Sequence, residues 1–326
     1  MAGGVIDPDH PAILAVAICC AAMMGFSIQR GGTCMVAAVR QLLDEGRGGR
    51  ALALLECSLW VAALGLAATA AGLGFNASPS YPAGATVMLG GAMLGLGAWL
   101  NGACVFGAIA RIGNRELHFL LTPPGFFLGS LLHAALAGPV VKGISPAPVS
   151  GPAIAALLVL FAGSLLVSLR ECREVRRSRL PIGTLWNHRH ATIAIGVAFV
   201  ALVVVAGPWT YTEALTRSAH GTGLPGIDNV LLLLALLGGA VLGGWRSATA
   251  FQFLPRRAAT CLAGGALMGL GSALIPGGND NLILAGLPWL QPHAWLAIAT
   301  MALTIAAGLL ASAELRKRRL IGSIAR

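Results

Sequence analysis

Charge is scarce in this chain. Only 10% of its 326 residues are charged, where a water-soluble domain carries roughly a quarter. With 56% hydrophobic residues there are too few polar side chains to cover a surface that faces water, so lipid is the expected solvent. Paired cysteines are missing too. The seven cysteines (19, 20, 34, 57, 104, 172 and 261) contain no C-x-x-C spacing, which argues against a disulfide framework and a membrane dithiol oxidase. There is no Walker loop, nucleophile elbow or pair of catalytic carboxylates, so no enzyme and no cofactor is expected. His118, His133 and His293 lack metal-ligand spacing, and no metal is expected. No basic stretch is interleaved with exposed aromatics, which excludes nucleic acid as a partner. The first apolar run follows Asp7, Asp9 and His10 in place of a basic leader, so it reads as a retained span.

What is abundant is apolar sequence in long runs. Crossing ~30 Å of hydrocarbon takes about 20 mostly apolar residues. Runs near 11–29, 51–74, 84–100, 117–140, 152–169, 190–208, 229–246, 259–275 and 293–313 qualify, giving nine spans. Positive charge collects in alternate gaps. Arg40, Arg47 and Arg50 follow span 1, Arg111 and Arg115 span 3, and "RECREVRRSR" (170–179) with His188 and Arg189 span 5. Arg246, Arg256 and Arg257 follow span 7 and "RKRR" (316–319) span 9, while the even gaps hold little beyond Lys142 and Arg217. By the positive-inside rule the N-terminus is expected outside and the C-terminus in the cytoplasm. The formal net charge of +10 then suits anionic lipid of the inner leaflet.

Two spans break off alike. "MMGFSIQRGGTCMVAAVR" (23–40) matches "MLGLGAWLNGACVFGAIAR" (93–111), with Gly25 on Gly95, Gly32 on Gly102, Cys34 on Cys104 and Ala38 on Ala108. A third copy, "LMGLGSALIPGGNDNLILAGLP" (267–288), puts Gly271 on Gly25, Gly278 on Gly32 and Asp280 on Cys34. Gly31-Gly32, Gly102 and Gly277-Gly278 permit positive φ. Each is followed by roughly ten helix-compatible residues, too short to cross. Such a re-entrant helix presents unpaired N–H groups and a dipole that favour an anion. Non-helical backbone at that depth is tolerated where protein buries it or water reaches it. With a fourth break at "GPWTYTEAL" (207–215), the expected architecture is an all-α polytopic membrane protein shaped like an hourglass. Residues 1–150 (spans 1–4) and 190–326 (spans 6–9) form inverted units joined by span 5 and its basic cytoplasmic loop, 151–189.

The candidate pathway residues are Gly32, Thr33, Cys34, Gly102, Ala103, Cys104, Gly278, Asn279 and Asp280, with Arg30 placed to attract an anion or to snorkel. Asp280 is an ionisable residue in apolar surroundings, read either as functional or as a helix cap. Cys19, Cys20, Cys57 and Cys261 read as packing. Trp99, Trp209, Trp245, Trp289 and Trp295 read as an interfacial belt.

"GFSIQRGGTC", "GAWLNGACVFGAIARIGN" and "GGALMGLGSALIPGGND" resemble the recurrent motifs of the YeeE/YedE family of bacterial inner-membrane proteins, over nearly the whole chain. The resemblance implies uptake of thiosulfate or a related sulfur compound, an hourglass of nine spans, and cysteines that pass the ion along, here Cys34 and Cys104. It also implies a small soluble sulfur carrier of the TusA type as partner. The chain departs from the family at the third break, where a cysteine is replaced by Asn279 or Asp280. An acidic side chain facing a dianion repels it unless protonated or paired, which points to proton coupling or a different sulfur substrate. Two functions are weighed: a permease for a small sulfur-containing anion, and a sulfur- or selenium-transfer protein that forms a cysteine persulfide and delivers it to the carrier.

Overall fold

The structure, a computed structural model, describes residues 11–75, 78–137, 143–145, 149–178, 186–221, 226–245 and 250–324. Asp7, Asp9, His10, Lys142, Arg179 and Arg246, which entered the reading of the first span and of orientation, lie outside them. Thirteen α-helices follow in order: α1 (Pro11–Gly31), α2 (Met35–Glu45), α3 (Gly49–Ala70), α4 (Ala85–Asn101), α5 (Val105–Gly113), α6 (Thr122–Ala137), α7 (Gly151–Arg177), α8 (His188–Ala206), α9 (Tyr211–Ala219), α10 (Ile227–Gly244), α11 (Pro255–Leu274), α12 (Asn279–Asn281) and α13 (Pro292–Ile324). No strand occurs among the described residues. By length and apolarity eight helical stretches can cross a bilayer, and α11 joins them as a ninth when paired with Asn279–Trp289, which is bent from it by 54°. This is an all-α polytopic membrane protein, with α2, α5, α9 and the α12 segment as its short helices.

Two of the expected boundaries move. Residues 170–177 are not loop: α7 stays helical through Arg177, because "RECREVRR" contains no glycine or proline to break a helix. Trp209 does not join an interfacial belt. It is 8% exposed and its indole N–H donates to Asn229 Oδ1 at 3.0 Å, whereas Trp245 and Trp295 are 67% and 43% exposed.

Packing is densest where small residues let backbones touch. A Cβ on Gly25 would lie 1.8 Å from the Leu236 carbonyl oxygen, and one on Gly239 would lie 1.9 Å from that of Ala22, so α1 and α10 press glycine to backbone in both directions. The same reciprocity joins α6 and α11, where Gly129 faces the Ala266 carbonyl and Gly269 that of Phe126, each at 1.9 Å. Lipid tails are as apolar as leucine, so close van der Waals contact of this kind holds spans together. Helix α1 also packs on α8, α3 on α8, and α4 on α11 and α13, while α2 lies against α13 and α9 against α6. Exchanging α1 with α8, α3 with α10, α4 with α11, α6 with α13 and α2 with α9 maps this set of contacts onto itself.

Helix α7 stands apart from that pattern. Only 6% of its apolar window is buried, and a polar cluster anchors it. Glu56 of α3 receives Arg189 Nε and an Arg189 Nη at 2.7 Å each. The Ser164 hydroxyl of α7 donates to Glu56 and accepts the Trp60 indole N–H at 2.8 Å, and Glu171 approaches Arg189 to 3.2 Å. Removing one member of such a pair strands the other away from water, at about 3 kcal/mol. Arg189→Met should therefore lower the thermal midpoint of the purified protein, and adding Glu56→Gln should recover part of the loss. An equal or larger loss in the double variant would contradict this.

Candidate functional site

Four short helices begin at the centre of the fold, and in each case a residue unsuited to helix ends the preceding span. Gly32 (φ 55°), Gly102 (φ 77°) and Gly207 (φ 87°) occupy the left-handed half of the backbone map, where a Cβ is unfavourable. In the remaining break Pro276, which lacks an N–H, follows the end of α11 at Leu274. Gly31 has no positive φ, and neither residue of the Gly277-Gly278 pair has one, so the expectation is met in the first pair, at Gly32, and not in the second. Their small size serves approach instead: a Cβ on Gly31 would lie 2.6 Å from that of Ala191, and one on Gly278 2.4 Å from Thr212 Oγ1.

The N-caps of the short helices are Cys34, Cys104, Thr210 and Gly278. Each cap carbonyl accepts the first helical bond, from Ala38 at 3.0 Å, Ala108 at 2.8 Å, Ala214 at 3.0 Å and Leu282 at 2.9 Å. Gly278, not Asp280, thus holds the cap position that Cys34 and Cys104 hold in the first two breaks, a correction of two positions to the sequence alignment. Pro276 shortens α11, so counting from Gly271 overshoots the cap.

Helix ends leave N–H groups without intrahelical partners, and here they are satisfied from the neighbouring break. The Cys104 sulfur accepts the Met35 N–H of α2 at 3.2 Å. On the other pair, Asp280 accepts the Thr212 N–H of α9 at 3.4 Å, the Thr212 hydroxyl and the Asn281 N–H at 2.9 Å. The Tyr211 hydroxyl donates to the Val105 carbonyl at 2.9 Å, tying the start of α9 to the start of α5. Sulfur caps one helix pair and a carboxylate caps the other.

A cavity opens on each side of this junction. One, of about 380 Å³, is lined by Gly32, Cys34, Gly102, Gly107 and the side chains of Arg40, Arg50 and Arg111. The other, of about 500 Å³, is lined by Trp209, Thr210, Glu213, Arg217 and Asn281, with Tyr81 and His293 at its rim. The first draws on the turns after α1 and α4, the second on those after α8 and α11, so alternation of the spans puts them at opposite faces. Between them Cys104, Tyr211, Thr212, Asn279 and Asp280 are all at most 3% exposed. The outline is a waist between two bowls.

Most of the expected pathway residues gather there. Cys34 is partly exposed to the first cavity and Cys104 is buried behind it. Thr33 is buried with its hydroxyl unpartnered, and both amide atoms of the buried Asn279 are unpartnered as well. The Ala103 carbonyl accepts the Asn101 side-chain amide at 2.7 Å, and Asn101 in turn accepts from Thr122 at 3.1 Å. Arg30 does not join them. It is not in the lining of the first cavity, and its guanidinium lies 5.7 Å from the Phe26 ring, one turn back on α1. The guanidinium beside Gly32 is that of Arg50, which donates to the Gly32 carbonyl at 2.9 Å. Asp280 meets the cap reading, accepting an N–H of its own helix from Asn281 and one of a neighbour from Thr212.

Sequence reasoning did not single out Tyr211, Thr212, Asn101 or Arg50. Tyr211 had a signal, being one of only two tyrosines and following the break at Gly207-Pro208. Asn101 and Arg50 act through partners set by the fold and had none. Among the described residues no group of three or more His, Cys, Asp or Glu could hold a metal.

Comparison with known protein families matches residues 30–307 to the model of the family described as Sulphur transport. No curated protein matches the chain.

Proposed function

The chain belongs to the Sulphur transport family, that of the YeeE/YedE proteins, and from that premise we propose that it is an uptake permease for a small sulfur-containing anion, thiosulfate or a relative, handed across the waist by Cys34 and Cys104. Transport of a sulfur compound across a membrane is what the family gives; the ion and the route are the proposal. The observation that carries it is the pair of thiols at two helix N-caps between two cavities. Thiols are weak donors and weak acceptors, so they hold an anion without trapping it, and passage needs sites that are weak and several. Their position at the N-termini of α2 and α5 adds the attraction of two helix dipoles. No catalytic role is part of the proposal.

The basic first cavity is assigned to the cytoplasm and the second to the outside of a bacterial inner membrane, with the N-terminus outside. The arginine distribution supports that assignment. The exchangeable contact pattern supports reading spans 1–4 (1–150) and 6–9 (190–326) as inverted units about α7 and its basic extension (151–189), with α2 and α5 entering from one side, α9 and α12 from the other. A soluble TusA-like carrier would receive the ion at the arginine-lined mouth.

Uptake of labelled thiosulfate into proteoliposomes tests the route. Cys34→Ala and Cys104→Ala are each expected to slow it roughly tenfold, since each removes a binding step from a short series. Undiminished entry in both variants rules out the cysteine relay. The exposure of Cys34 to the cavity also favours a second reading, sulfur transfer through a persulfide. A gain of one sulfur atom in mass on Cys34, without any uptake, would select it.

A further inference from the structure

The two halves of the waist differ in what caps their helix ends. In the half built from α2 and α5 the cap on the neighbouring helix is the Cys104 sulfur. In the half built from α9 and α12 it is the Asp280 side chain, which takes the Thr212 N–H, the Thr212 hydroxyl and the Asn281 N–H. Three donors converge on one carboxyl group, the arrangement an acceptor-only carboxylate satisfies in full. Asp280 is 1% exposed. No Lys, Arg or His among the described residues lies within ion-pair distance of it. Glu213, next to Thr212 in the first turn of α9, is paired with Arg217 at 2.9 Å. The helix end that would attract an anion already holds the protein's own.

We propose that Asp280 sets the charge of the ion admitted, so that the pathway favours singly charged sulfur anions over dianions. This rests on the permease reading above and narrows it. Repulsion from a fixed carboxylate grows in proportion to the charge of the passing ion, and away from bulk water it is neither screened by salt nor damped by a high dielectric. A thiol in the same place would impose no such penalty. The positive end of α9 is already countered by the Asp280 carboxylate on its Thr212 N–H, so it does little to offset the repulsion. Gly278 leaves Asp280 the space it occupies, since a Cβ there would lie 2.8 Å from its Oδ1.

Thiosulfate and methanesulfonate separate charge from shape, since a methyl group in the second replaces the terminal sulfur of the first and the charge falls from two to one. Both are supplied labelled to proteoliposomes holding the full chain. The native protein is expected to admit methanesulfonate about tenfold faster than thiosulfate, and Asp280→Asn, which keeps the shape, to bring the two rates together. A merely structural Asp280 would change both rates alike and leave their ratio where it was; that result overturns the proposal. So does a native protein that admits the dianion as fast as the monoanion, a measurement that holds even if the variant cannot be recovered folded. Entry of neither ion rejects the permease reading itself, and this inference with it.

Discussion

Gly107→Val is expected to abolish sulfur-anion uptake, and Gly107→Ala to reduce it by roughly tenfold or more, a loss of the size that follows when a binding group is displaced by about 1 Å. Gly107 lies in the first turn of α5, facing the thiol of the preceding break. A Cβ there would sit 2.5 Å from Cys34 Sγ and 3.0 Å from Cys34 Cβ. The thiol has little freedom to retreat, because Cys34 is the N-cap of α2. The added methyl must push it out of line with Cys104 or tilt α5 away from α2. Overpacking costs about 1–3 kcal/mol, which a protein of this size can absorb as stability while losing the alignment. Gly163→Ala is the control, since nothing lies within 4 Å of a Cβ there. Uptake by Gly107→Ala equal to that of the control would mean the thiol pair is not on the route.

The second large effect is on stability and separates two adjacent glycines. Gly238 has open space around its missing Cβ, whereas a Cβ on Gly239 would lie 1.9 Å from the Ala22 carbonyl oxygen. Gly239→Ala must part α1 from α10 along a whole crossing, since the obstacle is backbone rather than the end of a flexible side chain. A loss of about 3 kcal/mol is expected, at the upper end for overpacking, read as a lower thermal midpoint and poor recovery of monodisperse protein. Gly238→Ala should be neutral or more stable by about 0.5–1 kcal/mol, because alanine gives up less backbone freedom in a helix. Equal midpoints for the two variants would mean that α1 and α10 do not touch as described.

Much of the candidate site was legible before any coordinates. The repeated Gly-x-Cys after spans 1 and 3 announced two helices starting at Cys34 and Cys104, since a glycine that alone tolerates positive φ ends one helix where a short amphipathic stretch begins another. The third break was misaligned by two residues because counting along a chain does not register where Pro276 stops a helix. Arg30 looked suited to an anion by proximity in sequence, yet Arg50, 18 residues from Gly32, is the side chain that reaches the turn. A helix presents consecutive residues about 100° apart, so neighbours in sequence face different partners.

The number of spans, the break points and the kind of surroundings were determined by the sequence itself, because each depends on local quantities: apolar length, the φ that glycine permits, the N–H that proline lacks. Which break satisfies which helix end was decided only by the tertiary structure. That Cys104 caps α2 and Asp280 caps α9 follows from how α2, α5, α9 and α12 come together from distant parts of the chain. A hydrogen bond between residues 68 or 69 positions apart has no local signature, since its energy exists only once packing brings the two groups within about 3 Å.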